Sequence, residues 1–259
     1  MKNKKTPVNH KKTPGLMVLS ILVLLLIWQA AAGGLNRYFL PSPAVTMQTL
    51  AGLLREDKIW SHLGASFRRI TLGTLTGLLA ALPLGILMGR SGAADAVLGS
   101  FFRLVYPVPK VVFMPVIVVM LGIGDISKIF LISVAVFFQM TIIIRDSTAS
   151  LDPDLSDVMR SMKAGPVFTL RHLILPGITP GILTALKTSL GTSVALLMIT
   201  ELFASTSGLG YYIMNSMDAR KYPEMYSGII LLMAMSALMY AFLELAERVL
   251  CRWRYKGSL

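Results

Sequence analysis

The 259-residue chain is poor in the residues that support metal, disulfide or catalytic chemistry. A single cysteine, Cys251, excludes an intramolecular disulfide and a thiolate cluster for a metal. The three histidines, His10, His62 and His172, fall in separate predicted loops or tails, without metal-ligand spacing to Cys, Asp or Glu. We therefore predict no catalytic residue, no metal site and no cofactor.

Charged residues are also scarce. They make up 15% of the chain against 54% hydrophobic residues, and the mean hydropathy is +0.67, which excludes an ordinary water-soluble domain. The net charge is +12, but Lys and Arg lie between long uncharged runs instead of clustering as they do on a nucleic-acid-binding surface. We predict a protein embedded in the lipid bilayer, with no nucleic-acid partner.

Six segments are long enough, or nearly so, to cross a hydrocarbon layer of ~30 Å as helices. The first, at 15–34, has no charged residue and exceeds the roughly 7–15 apolar residues of a signal peptide, so we expect an uncleaved helix. Pro107, Pro109 and Pro115 predict a bent or surface-lying start to the third. The other five spans are predicted at about 65–90, 98–122, 127–147, 177–203 and 226–250.

The basic residues predict the orientation of these spans. With the N-terminus inside, the loops and tails on the inner side hold about twice as many Lys and Arg residues as those on the outer side. Because basic loops are retained in the cytoplasm, we expect both termini to be cytoplasmic.

The most informative predicted loop is cytoplasmic and covers 152–176. Asp152 is a good N-cap, Pro153 fits the first helical position, and Gly165-Pro166 is a typical helix end. One apolar stripe is expected along this short helix, formed by Leu155, Val158, Met159 and Met162. By itself the pattern fits a helix lying on its own membrane surface or one that contacts a partner.

A resemblance favours the partner. Residues 156–165, followed by Leu175-Pro176, resemble the cytoplasmic loop of inner-membrane permeases of binding-protein-dependent ABC importers, which reads Glu-Ala-Ala, three residues, Gly, and later Leu-Pro. With the Leu-Pro pairs aligned, residues 157–159 occupy the Glu-Ala-Ala positions and Lys163 the glycine position, while Gly165 could still supply a left-handed stop. The resemblance implies a coupling helix that docks on a cytoplasmic ATPase. The implied docking residues are Asp157, Val158, Met159, Ser161, Met162, Lys163, Ala164 and Gly165.

Further stretches resemble the nitrate, sulfonate, taurine and bicarbonate branch of that family. They are Leu40-Pro41-Ser42-Pro43, Tyr106-Pro107-Val108-Pro109, residues 122–130 and Ser207-Gly208-Leu209-Gly210-Tyr211. The resemblance implies an all-α membrane protein with six transmembrane helices and the type I ABC importer permease fold. It also implies a non-catalytic subunit of the bacterial inner membrane, a permease homodimer, cytoplasmic ABC ATPase subunits, an external solute-binding protein, and a small anionic solute such as a sulfonate, taurine or nitrate.

The expected organisation follows from the spans and the resemblance together. It comprises a basic cytoplasmic tail at 1–14, a first transmembrane helix at 15–34, a permease domain at 60–250, a coupling loop at 152–176 and a cytoplasmic tail at 251–259.

Energy must come from elsewhere, because the chain has no Gly-Lys pair and so no phosphate-binding loop of the ATPase type. The alternative to an ATPase partner is an ion-coupled secondary transporter. Such transporters usually have duplicated halves and buried ionisable pairs, and no internal repeat is evident here.

Polar residues within the spans are candidates for the translocation path. Gln139 could line the path or bond a neighbouring helix, and Lys187 could face an anion, snorkel or pair. Glu201 could act at a gate or simply be solvated at the outer interface. The resemblance further implies that Gly208, Gly210 and Tyr211 form an outer loop near the gate and the binding protein.

Overall fold

The structure, a computed structural model, describes residues 14–34, 39–203 and 205–252. Of the tails predicted at 1–14 and 251–259, residues 1–13 and 253–259 lie outside the described residues. Within those ranges the chain forms eleven α-helices, one 3₁₀ turn and one π-helical turn, and no strand. In chain order these are α1 Pro14–Gly34, α2 Pro43–Leu53, α3 Asp57–Arg90, α4 Gly92–Val105, the 3₁₀ turn Lys110–Phe113, α5 Met114–Leu121, α6 Asp125–Ala149, α7 Pro153–Ser161, α8 Pro166–Thr169, the π-turn Leu170–Ile174, α9 Leu175–Leu202, α10 Leu209–Asp218 and α11 Tyr222–Leu250.

Four helices are long and apolar enough to cross a membrane by themselves. They are α3, α6, α11 and the uninterrupted run Pro166–Leu202, which joins α8, the π-turn and α9. The bent pair Gly92–Val105 and Lys110–Leu121, whose axes differ by 76°, is long and apolar enough to form a fifth span if the two helices act as one. With α1, whose described apolar stretch Leu19–Gly34 is shorter, these elements correspond to the predicted all-α membrane fold.

The break in the third span has a clear chemical cause. Pro107 and Pro109 lack amide protons and end α4 at Val105. The ammonium of Lys110 then donates to the carbonyls of Val105 at 2.9 Å and Tyr106 at 2.6 Å. This cation satisfies the C-terminal end of α4 and favours the bend that the prolines predict.

Helices α3 and α6 pack side by side through a stripe of glycines. A methyl group added to Gly73 would lie 2.7 Å from Cγ2 of Ile132, and one added to Gly85 would lie 2.7 Å from Cγ2 of Ile144. Ile132 follows Gly73 by the same number of residues as Ile144 follows Gly85, so the two helices run parallel and in register along this contact. The glycines of α3 therefore allow close packing of the two helices.

The third member of the core is α9, which lies against both helices. Ile178, Ala185 and Leu197 on α9 are buried in one cluster with Ile70 of α3 and Val136 of α6. Since the π-turn and α8 continue α9 without a break, the core is connected directly to the loop that precedes it.

Candidate functional site

The loop at 152–176 begins with the predicted helix. The carboxylate of Asp152 accepts a hydrogen bond from the amide of Asp154 at 3.0 Å, and Pro153 occupies the first helical position of α7. The N-cap prediction is confirmed, because the cap satisfies an amide that has no partner within the helix.

The predicted end of this helix at Gly165 is wrong. Lys163, and not Gly165, takes the left-handed conformation, with φ +52°. The amide of Ala164 donates to the carbonyl of Met159 at 3.0 Å and that of Lys163 to Arg160 at 2.9 Å, which together form a Schellman turn. Gly165 is extended, with φ −67°, and its carbonyl accepts from Thr169 at the start of α8. The residue at the family's glycine position therefore supplies the left-handed turn even though it is a lysine.

The apolar side chains along helix α7 and just after it are largely exposed. None of its residues is buried. Leu155, Val158 and Met162 are 48%, 53% and 68% exposed, and Val167 just beyond the helix is 75% exposed. A hydrogen bond of 2.9 Å from Arg90 to the hydroxyl of Ser156 connects α7 to the end of α3. An apolar ridge on a capped, polar helix is a surface suited to docking a partner.

The segment after α7 leads into the membrane without interruption. The sequence predicts a second short helix from Val167 to Leu175, but α8, the π-turn and α9 form one run from Pro166 to Leu202. At the π-turn the amide of Leu175 reaches the carbonyl of Leu170, which accommodates Pro176 without breaking the helix.

At the other end of α9 lies a buried polar cluster centred on Arg69. Its guanidinium is 3% exposed and donates from Nη1 to Oε1 of Glu201 at 2.6 Å. Its Nε and Nη2 both lie close to Oδ1 of Asp125, at 2.7 Å and 2.6 Å, and Arg68 also pairs with Asp125. Nη1 and Nη2 further donate to the carbonyl and hydroxyl of Ser207, at 2.7 Å and 2.9 Å. Arg69 thus joins the start of α6, the end of α9 and the loop before α10.

The end of the same loop and the first residues of α10 are held through their backbone amides. Gly208 donates to Nδ1 of His62 at 3.1 Å, Leu209 to the hydroxyl of Ser66 at 2.8 Å, and Gly210 to Oε2 of Glu201 at 2.8 Å. The Ser66 hydroxyl lies 2.9 Å from Oε1 of Glu201. Of the residues expected in the outer loop, Gly208 has φ +113° and immediately precedes α10, whereas Gly210 and Tyr211 lie in the first turn of that helix.

The three path candidates occupy different surroundings. Glu201 is fully buried, so the alternative of simple solvation at the interface does not apply. Gln139 accepts a hydrogen bond from Thr192 at 3.1 Å, which fits the predicted bond to a neighbouring helix. Lys187 pairs with Glu247 of α11, with the side chains 17% and 10% exposed, so it neither snorkels nor stands isolated.

Sequence reasoning missed the residues that surround Glu201. His62, Ser66 and Arg69 are spaced i, i+4 and i+7, so they share one face of α3. A polar stripe on an otherwise apolar helix was the available signal. Across the described ranges no group of three or more His, Cys, Asp or Glu residues could hold a metal ion.

Comparison with known proteins places this arrangement in context. Residues 73–253 match the family model described as the inner membrane component of binding-protein-dependent transport systems. The matched region includes α7, the continuous helix into α9, Glu201 and the loop before α10.

Two relatives match over nearly the full chain. The taurine transport system permease protein of Escherichia coli is 31% identical over 254 residues, covering 95% of this chain and 92% of that protein. A Bacillus subtilis permease assigned to aliphatic sulfonate transport is 30% identical over 239 residues, covering 91% and 87%. The expected resemblance to sulfonate and taurine permeases is confirmed.

A solved structure shares the fold. A chain of the MetNI methionine ABC transporter, in inward-facing conformations, superposes with a TM-score of 0.66 at 18% identity. The match covers 74% of this chain and 95% of that chain. At this identity the likeness supports the fold prediction.

Proposed function

Because this chain belongs to the family of inner-membrane components of binding-protein-dependent transport systems, we propose that it forms half of the path of an ATP-driven importer for a small sulfonate-like anion. The names of its two relatives support aliphatic sulfonates and taurine as the solute class. The chain resides in the bacterial inner membrane with both termini in the cytoplasm.

A separate ABC ATPase hydrolyses the ATP, and α7 is the surface on which it docks. This proposal rests above all on one observation: a capped helix with no buried residue presents Leu155, Val158 and Met162 to solvent and leads directly into a long core helix. Exposed apolar side chains are costly without a partner, and Asp157 adds an acidic group that is 69% exposed.

The translocation path forms between two copies of this chain. Val116, Val119 and Met120 on α5 are 55%, 86% and 77% exposed and have apolar neighbours along the same short helix. A second copy packed there would cover this apolar surface and place two broken third spans around a common axis. An external solute-binding protein delivers the anion to the end of the dimer that carries the loop before α10.

In the proposed mechanism, movement of the ATPase subunits is transmitted through α7 to the core helices. Closure of the ATPase dimer displaces α7, and the displacement passes through the Schellman turn into the run Pro166–Leu202. Since α9 packs in one core with α3 and α6, these helices move together and the path alternates between inward and outward openings.

Reconstitution tests this function. Vesicles that contain this chain, its cognate ATPase and binding protein should accumulate labelled taurine only when ATP is supplied on the ATPase side. An excess of an aliphatic sulfonate should compete, whereas a neutral amino acid should not. Taurine accumulation by this chain alone, driven by an imposed proton or sodium gradient, would refute the proposal.

A further inference from the structure

The outer loop before α10 is exposed on one side and fastened on the other. Thr206 is exposed, whereas Gly208, Leu209 and Gly210 are buried. A methyl group on Gly210 would lie 2.9 Å from Cβ of Glu201, so the chain runs directly against the glutamate side chain. The conformation of the exposed part is therefore determined by the polar groups beneath it.

Arg69 bonds this loop together with both neighbouring core helices. It donates to Ser207 of the loop, to Glu201 at the end of α9 and to Asp125 at the start of α6. The planar guanidinium makes these bonds at once, which the point charge of a lysine cannot reproduce. Replacing a buried ion pair with apolar residues of similar volume is often neutral or stabilising, so the value of this cluster is sought in the geometry that it imposes on the loop.

We propose that Arg69 is a positioning residue that holds the Ser205–Gly210 loop in the conformation required to engage the external solute-binding protein. The engagement part of this inference rests on the proposed function. The fastening part depends only on the contacts of Arg69, Ser66 and Glu201 with the loop. Glu201 lies in the last turn of α9, which continues the helical run that begins at Pro166 after α7. Because Glu201 also fastens the loop, a movement of α9 would move the loop.

Loop fastening can be measured on the permease without its partners. The amides of Gly208, Leu209 and Gly210 are buried and donate to His62, Ser66 and Glu201, so their hydrogen exchange reports the fastening. Exchange of these amides should be about tenfold faster in R69Q than in the parent, because loss of the Arg69 anchor opens the loop locally. R68Q is the matched control: Arg68 is 61% exposed and reaches only Asp125 among the cluster residues named above, so exchange should stay at the parent rate.

Engagement is measured on the reconstituted complex. The concentration of taurine-loaded binding protein that half-maximally stimulates ATP hydrolysis should rise about tenfold in R69Q, with a much smaller change at saturation. R69K should resemble R69Q, since a lysine cannot bridge both carboxylates and the loop. R68Q should resemble the parent.

Two further variants keep the test informative if R69Q misfolds. If R69Q fails to insert because Glu201 is left buried and unpaired, R69Q/E201Q removes both charges, and S66A removes one loop anchor while the ion pair remains. Unchanged exchange of the loop amides in these variants overturns the fastening, and faster exchange with an unchanged half-maximal concentration overturns the positioning. A parent complex that binding protein fails to stimulate counts against the proposed function instead, and the exchange result still tests the fastening.

Discussion

The amide of Ala164 donates to the carbonyl of Met159, 3.0 Å away, across the end of α7. This bond requires the residue between them in the turn, Lys163, to adopt φ +52°. A side chain with a Cβ pays roughly 1–2 kcal/mol for that conformation, whereas glycine does not. Helix α7 is therefore terminated at some cost by a residue that is unsuited to the position.

Replacing Lys163 with glycine should stabilise the end of α7. The gain should be about 1 kcal/mol, which corresponds to roughly fivefold slower hydrogen exchange of the turn amides. Hydrogen–deuterium exchange of the detergent-solubilised protein, resolved to peptides that cover α7, measures this. K163V should have the opposite effect, because a β-branched residue is strongly disfavoured there.

Arg220 offers an internal control for this substitution. It ends α10 with φ +59°, and Lys221 donates to Ser216 at 2.8 Å in a turn of the same type. R220G should slow exchange at the end of α10 and leave α7 unchanged. If K163G left exchange in α7 unaltered or made it faster, the strain assigned to Lys163 would be wrong.

The proposed ATPase-docking surface on α7 gives a second prediction. Replacing Asp157 or Met162 with lysine should weaken co-purification of the ATPase at least about tenfold while the permease still inserts, since both side chains are exposed and α7 has no buried residue to disturb. D218K, an exposed charge reversal at the end of α10, is the matched control. Normal ATPase retention by both α7 variants would contradict the docking proposal.

The two sites differ in how far sequence could predict them. The start of α7 depends on Asp152 and Pro153, which act on amides within two residues, so a local pattern is sufficient. In the second site, the side chain of Arg69 bonds Asp125 and Glu201, which lie 56 and 132 residues further along the chain. Such pairs follow from helix packing, which local sequence patterns do not reveal.

The error at Gly165 has a related cause. Propensity favours glycine in a left-handed turn. However, the carbonyls of Met159 and Arg160 at the end of α7 accept hydrogen bonds from Ala164 and Lys163, and this places Lys163 in the left-handed position. Gly165 is then available to begin α8 together with Pro166.

The contact between α3 and α6 predicts a third result. Gly85→Ala should destabilise the protein by about 1–3 kcal/mol, because the added methyl group would lie 2.7 Å from Ile144 on the packed partner helix. Gly64→Ala, on the same helix, meets nothing within 4 Å and should be neutral or slightly stabilising. Thermal unfolding in detergent compares the two. Equal melting temperatures for both variants would argue against close packing at Gly85.

The pair formed by Lys187 and Glu247 gives the last prediction, which separates a structural cation from one that meets the solute. Both side chains are largely buried between α9 and α11. K187M should destabilise the protein by roughly 3 kcal/mol, because Glu247 loses a buried countercharge, whereas K187M/E247M removes both charges and should recover most of that loss. If Lys187 only joins the two helices, the double variant will also recover ATP-driven taurine uptake. A double variant that regains its melting temperature but not its uptake would place Lys187 in the path of the anion.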